Sequence, residues 1–155
     1  MMRVYPSRLA LAVAPLLLAG CIGTGPVRNV FPPRASIGQL TMQADGSWKL
    51  QLRLQNFSNV STTFATVDGK VEIGAQPAGS VSAAPALRIG PESADVVDVT
   101  ITPAPAARAA VAALHSGSIA YKLEGRIVTS DPKGDYKYHF DGQLSPVPGL
   151  SGVLR

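Results

Sequence analysis

The side chains able to do chemistry in this chain are few: two histidines, His115 and His139, a single cysteine, Cys21, and ten acidic residues. His139 and Asp141 lie two apart, a spacing that points both from one face of a strand as a metal pair. A zinc site needs three or four protein ligands, so such a pair would have to recruit another from elsewhere. The plainer expectation is that His115 ends a helix near its negative pole and that His139 faces solvent, away from Tyr138 and Phe140. Asp131 and Asp135 flank a tight turn, but the ordered ligand spacing of a calcium loop is missing, so a solvated hairpin tip is expected there. No Gly-x-Ser-x-Gly elbow presents a nucleophile, and no glycine-rich loop follows a strand to cradle phosphate. The expectation is a protein that is not an enzyme, with no metal, no cofactor and no evident small-molecule substrate.

That leaves the thiol. Arg3 and Arg8 open the chain, Leu9 to Leu18 is apolar apart from Pro15, and two small residues, Ala19 and Gly20, precede Cys21. The apolar run is about half of the roughly 20 residues that a membrane-spanning helix requires, so it reads as a secretory signal over residues 1–20. Leu18-Ala19-Gly20-Cys21 resembles the lipobox of bacterial lipoprotein precursors. The resemblance implies that a signal peptidase recognises Leu18, Ala19 and Gly20, cuts before Cys21, and leaves Cys21 acylated on its sulfur and its new amino group. As the sole cysteine, Cys21 has no disulfide partner to compete for that role. Each buried methylene contributes about 0.8 kcal/mol, so several acyl chains on Cys21 would hold the protein on a membrane. Ile22 stands where retained inner-membrane lipoproteins of enteric bacteria usually have Asp. By the same resemblance the expected location is the cell envelope, at the outer membrane and facing the periplasm.

Cleavage would leave 135 of the 155 residues, the size of one domain, and with Arg3 and Arg8 gone the formal charge falls from +4 to +2. The basic residues are spread singly from Arg28 to Arg155, without interleaved aromatics, which argues against nucleic acid as a partner. Residues 21–34 hold three prolines and two glycines and no apolar period, so a flexible tether is expected, able to reach about 45 Å when stretched.

The elements that would follow the tether are strands. Trp48 to Gln55 alternates apolar and polar without error, placing Trp48, Leu50, Leu52 and Leu54 in a core. Ile37, Leu40 and Met42 form a weaker strand before it, and Asp45-Gly46 signals a hairpin between the two. Val67 to Ile73 and Val97 to Thr102 alternate again. Between them, Gly74 to Pro85 reads as a loop with at most a short edge strand. Pro105 and the Ala-rich run to Leu114 predict one short helix, with Gly117 just beyond. Ile119, Tyr121, Leu123, Gly125 and Ile127 then share a face, as do Tyr136, Tyr138, Phe140, Gly142 and Leu144, joined by a turn at Asp131-Pro132-Lys133-Gly134. The expected fold is all-β: an immunoglobulin- or fibronectin-III-like antiparallel β-sandwich of about seven strands over residues 35–150, with 151–155 as a tail. Trp48, Tyr121 and Phe140 are its expected large core members.

The order of features from Ala35 to Leu150 resembles the LEA type 2 proteins, also called the LEA14-like or WHy domain. An alternating strand ends in Asn (Leu50 to Asn56), a strand with small residues precedes a Gly (Phe64 to Gly74), and a valine-rich strand follows (Val96 to Ile101). After a short helix come Tyr121-Lys122-Leu123-Glu124-Gly125 and the closing Phe140-Asp141-Gly142-Gln143-Leu144. The family usually has Asn-Pro after the second strand, whereas Phe57 follows Asn56 here; Asn56 is still expected to form an Asx turn. The resemblance implies a fibronectin-III-like sandwich, an association with desiccation and other stress, and no active site.

Asn56-Phe57-Ser58 and Asn59-Val60-Ser61 match the N-glycosylation pattern, which the lipobox upstream makes accidental. They place polar residues together over Asn56 to Thr63, a surface loop and a candidate working end. The functional expectation is a lipid-anchored, non-enzymatic envelope protein that is stress-protective or binds exposed segments of client proteins. The alternative is an assembly subunit that docks on an envelope complex.

Overall fold

Alternation decides the first sheet. The computed structural model describes residues 25–155; the signal read over residues 1–20, with Leu18, Ala19 and Gly20, and the lipid-attachment candidate Cys21 lie outside the described residues. β1 (Arg34–Met42) and β2 (Trp48–Gln55) pair antiparallel, and every second side chain of β2 drops into the core: Trp48, Leu50, Leu52 and Leu54 are all buried. The turn between them is the expected one. Gly46 takes a φ of +83°, and the Asp45 carboxylate accepts hydrogen bonds from the Ser47 N–H and hydroxyl, which hold its pKa below the ordinary value.

The second sheet is built around β3 (Thr62–Ile73). On one side it pairs first with β5 (Leu87–Ile89) and further along with β4 (Gln76–Ala83); on the other it pairs with β7 (Ile119–Asp131), which pairs in turn with β8 (Lys133–Leu144). In the first sheet β6 (Ala94–Ile101) covers β2, and β9 (Val153–Leu154) covers the end of β1. Every pairing is antiparallel. With β1, β2 and β6 in one layer and β3, β7 and β8 in the other, the strands are distributed as in an immunoglobulin-like sandwich. One short helix, α1 (Pro105–Ala112), starts with Pro105 in its first turn, buries Ala107 and Val111, and carries the chain from β6 to β7.

Four readings need correction. Residues 76–83 form a full strand, not a loop: Gly74 and Ala75 both have positive φ and turn the chain back on itself, and Ala78 and Val81 are buried. Small residues gave that strand no visible period, and Pro77 is tolerated because it lies on an edge. Nine strands are present among the described residues, rather than about seven, because β5 and β9 are too short to show any pattern. The expected tail over 151–155 contains β9, whose Leu154 belongs to the core. Phe140, on the edge strand β8, is only half-buried, whereas Phe64 is fully buried; register shifts at Phe64 and Thr66 break the alternation that would have revealed it. No helix among the described residues is long and apolar enough to cross a membrane.

Candidate functional site

The registers place the connections at two ends, apart from the short β4–β5 link, which runs along the edge of β3. The proximal end carries the incoming N-terminal segment, the β2–β3 loop, the β5–β6 loop and the β7–β8 turn; the distal end carries the β1–β2 and β3–β4 turns, α1 and the C-terminal residues.

At the proximal end the loop expected to be a polar surface is largely interior. Asn56 is 1% exposed, and Ser58 and Thr62 are also buried. The Asn56 amide donates to the carbonyls of Val60 (2.8 Å), Gly90 (2.8 Å) and Ile89 (3.3 Å). Its Oδ1 accepts from the Ser58 N–H (2.9 Å), the expected Asx turn, and from the Thr62 hydroxyl (3.2 Å). A buried Asn meets its full donor and acceptor capacity this way, and the loop is fixed by it. Nor is the described part of the expected tether free. Asn59 Oδ1 accepts from the Asn29 N–H, Asn59 Nδ2 donates to the Val27 carbonyl, the Asn59 N–H donates to the Asn29 carbonyl, and Ser58 Oγ accepts from the Phe31 N–H. Pro33 is buried, and the Arg34 guanidinium lies over the rings of Phe57 and Phe140 at 5.2 and 5.9 Å.

The Tyr-x-Leu-x-Gly run is equally architectural. The Tyr121 hydroxyl accepts from the Ile37 N–H (3.1 Å) and donates to the Ile37 carbonyl (3.2 Å), tying β7 to β1 across the sandwich. Its ring lies against Gly142, where a β-carbon would stand 2.5 Å from it, and stacks on Phe140 at 5.9 Å. Gly125 and Gly69 face each other across β7 and β3, so close that a β-carbon on Gly125 would collide with the backbone of Asp68 and Gly69. The Tyr138 hydroxyl reaches over this pinch to the Asp68 carbonyl at 3.3 Å. Burial pushes the Tyr138 pKa well above the ordinary tyrosine range and the Asp68 charge adds to the shift; burial raises Tyr121 as well.

The candidate metal residues do not converge. His139 sits exposed between two carboxylates, Asp141 within hydrogen-bond distance of one ring nitrogen at 2.8 Å and Glu124 at 3.9 Å from the other. His115 lies elsewhere, beyond α1 at the distal end. Asp135 pairs with Arg126 at 3.3 Å rather than with Asp131. No cluster of three His, Cys, Asp or Glu side chains suited to a metal ion occurs among the described residues. On the outer face of the second sheet, a shallow furrow of about 630 Å³ has Gly69 and Gly125 in its floor and a rim of mixed charge, including Asp68, Lys70, Glu124 and Arg126.

The distal end holds the feature that no motif signalled. Residues 145–155 fold back as a hairpin: Ser145 and Arg155 exchange both backbone hydrogen bonds, and the Val147 N–H donates to the Val153 carbonyl. Gly149 and Gly152, both at positive φ, turn it, and the Met42 N–H donates to the Gly152 carbonyl. Between this hairpin and the end of α1 runs a cleft of about 730 Å³ lined by Met42, Val111, Leu114, His115, Leu150 and neighbouring residues. No Asp, Glu, Lys or Arg lines it, and Met42 and Leu150 on its rim are exposed. An uncharged cleft with exposed aliphatic rims suits an apolar segment of another molecule.

No family model matches the chain, and no curated protein matches it. Among solved structures it is similar to AT1g01470 from Arabidopsis thaliana, known from a solution structure, at 10% identity and a TM-score of 0.48, over 81% of this chain and 84% of that one. It is also similar to a protein from Archaeoglobus fulgidus, known from a crystal structure, at 9% identity and a TM-score of 0.42, over 77% of this chain and 98% of that one.

Proposed function

We propose that the chain is a lipid-anchored, non-enzymatic protein of the bacterial cell envelope, of LEA type 2 character, sorted to the outer membrane on its periplasmic side. Its work is to bind exposed apolar segments of other proteins at its distal end and so protect them under stress. One observation carries the reading: the residues of the recognisable motifs, Asn56, Tyr121 and Gly125, are spent on holding the fold, while the uncharged cleft beside Met42 and Leu150 is left half open. The lipobox ending at Cys21 and the LEA type 2 order of strands support the anchor and the family. The anchor enters at the proximal end, and β7 alone, at 13 residues, spans roughly 40 Å, so the cleft would project away from the bilayer.

The test is aggregation of a heated or dried client protein in the presence of the purified protein. The wild type is expected to slow aggregation, and Met42→Asp with Leu150→Asp to abolish that effect without unfolding the sandwich. Protection no better than that of an inert protein of equal mass would remove the reading. The rigid, backbone-bonded hairpin that frames the cleft favours a second reading, in which one dedicated partner docks there and the protein is an assembly subunit. Crosslinking in cells that recovers one stoichiometric partner would select it.

A further inference from the structure

The proximal end has an exposed apolar edge that the fold does not use. Residues 27–31 are pinned to the β2–β3 loop by the hydrogen bonds of Asn59 and Ser58, yet Val27, Val30 and Phe31 remain 74%, 43% and 52% exposed. A segment fixed through its backbone while its apolar side chains stay in water is held ready for another surface. Its charge is one-sided: Arg28 and Arg34 lie within or beside it, and no acidic residue occurs between Cys21 and Asp45. The strand ends and loops around it contribute both signs, Arg53, Arg88 and Lys133 against Glu92, Asp95 and Asp131, so the basic excess belongs to the segment itself.

Chain length names the surface. Six residue steps separate Cys21 from Val27, a reach of at most about 20 Å when fully extended. An acylated Cys21 sits at the base of the headgroup layer, which is itself about 5–7 Å deep, so the pinned segment cannot leave the neighbourhood of the bilayer. Resting on the anchor reading above, we infer that residues 27–31 form a membrane-contacting edge. Val27, Val30 and Phe31 enter the interfacial zone, Arg28 meets lipid phosphates, and the sandwich is seated on the membrane instead of swinging on a long tether. Acyl chains combined with a basic, apolar protein edge make a firmer attachment than either alone.

The experiment uses the full chain carrying Phe31→Trp, expressed in a bacterium, purified from its envelope and reconstituted into phosphatidylethanolamine and phosphatidylglycerol vesicles whose acyl chains carry bromine near the headgroup. The native Trp48 is buried and supplies a constant background. Leu150→Trp serves as the distal control, and the mass of the N-terminal peptide reports acylation of Cys21. Seating predicts that roughly half or more of the emission from position 31 is quenched, as expected for an interfacial side chain, while position 150 is untouched. An acylated Cys21 with position 31 quenched no more than position 150 overturns the seating and leaves the anchor standing. An unacylated Cys21 overturns the anchor and the seating with it. Shielding of position 31 by added envelope protein, and not by lipid, also overturns the proposal.

Discussion

The two ends of the sandwich close in opposite ways. At the proximal end, side chains satisfy backbone: Asn56 alone takes up three carbonyls and one N–H, and Asn59 and Ser58 hold the incoming segment. At the distal end, backbone satisfies backbone in the 145–155 hairpin, and the side chains around it are left apolar and half open. A buried amide with all its partners fixes one geometry, because leaving any of them unpaired is costly. An uncharged cleft carries no such penalty and can accept an occupant. Polar residues therefore mark the structural end here and apolar ones the candidate working end, the reverse of what the Asn56 to Thr63 composition suggested.

Several substitutions would break or sharpen this contrast. Asn56→Ala is expected to do the most damage, lowering stability by about 3 kcal/mol, since it strands several buried backbone groups; urea unfolding would measure it. If the loop were an ordinary surface turn, the loss would be below about 0.5 kcal/mol. Gly125→Ala, placed between the ends, controls for general destabilisation: its β-carbon meets backbone, so a loss of about 2 kcal/mol by the same assay is expected, with binding at the cleft intact. Tyr121→Phe leaves the Ile37 N–H and carbonyl unpaired and should cost about 1.5 kcal/mol.

The tyrosines also set a pH dependence. Both have folded pKa values raised above the unfolded value of 10.0, so the stability they contribute is fully present below pH 10 and is lost as pH climbs through the folded values. The urea midpoint should fall from pH 10 upward, and fall less steeply in Tyr138→Phe. Leu150→Asp should have the smallest effect on stability, within about 0.5 kcal/mol, because the residue is 55% exposed. Its effect should appear instead as lost protection of clients, the opposite profile to that of Asn56→Ala.

Much of the sandwich was legible in the sequence because it rests on local pattern. The β1–β2 hairpin, the inward face of β2, the short helix and the long β7–β8 pair all follow from alternation, an Asp-Gly turn and a Pro at a helix start. The hub at Asn56 was legible by half: its Asx turn to Ser58 is local, but the Ile89 and Gly90 carbonyls come from 33 and 34 residues away. β4 has too few large side chains to show a period, and β9 exists only through its pairing with Leu40 and Thr41 of β1 and with Pro146 and Val147 of its own hairpin. The distal cleft was not legible at all. Met42, Leu114 and Leu150 belong to three separate segments and meet only when β9 brings the C-terminal hairpin beside the end of β1.

The claim on which the two ends take their meaning is that the sandwich hangs from a membrane at Cys21. The direct measurement is the mass of the N-terminal tryptic peptide of the protein isolated from its own envelope. A lipid anchor at Cys21 requires a chain that begins at Cys21, with a peptide ending at Arg28 that carries acyl chains on the cysteine. A free thiol at Cys21, or a peptide that still contains Leu18, Ala19 and Gly20, would contradict it.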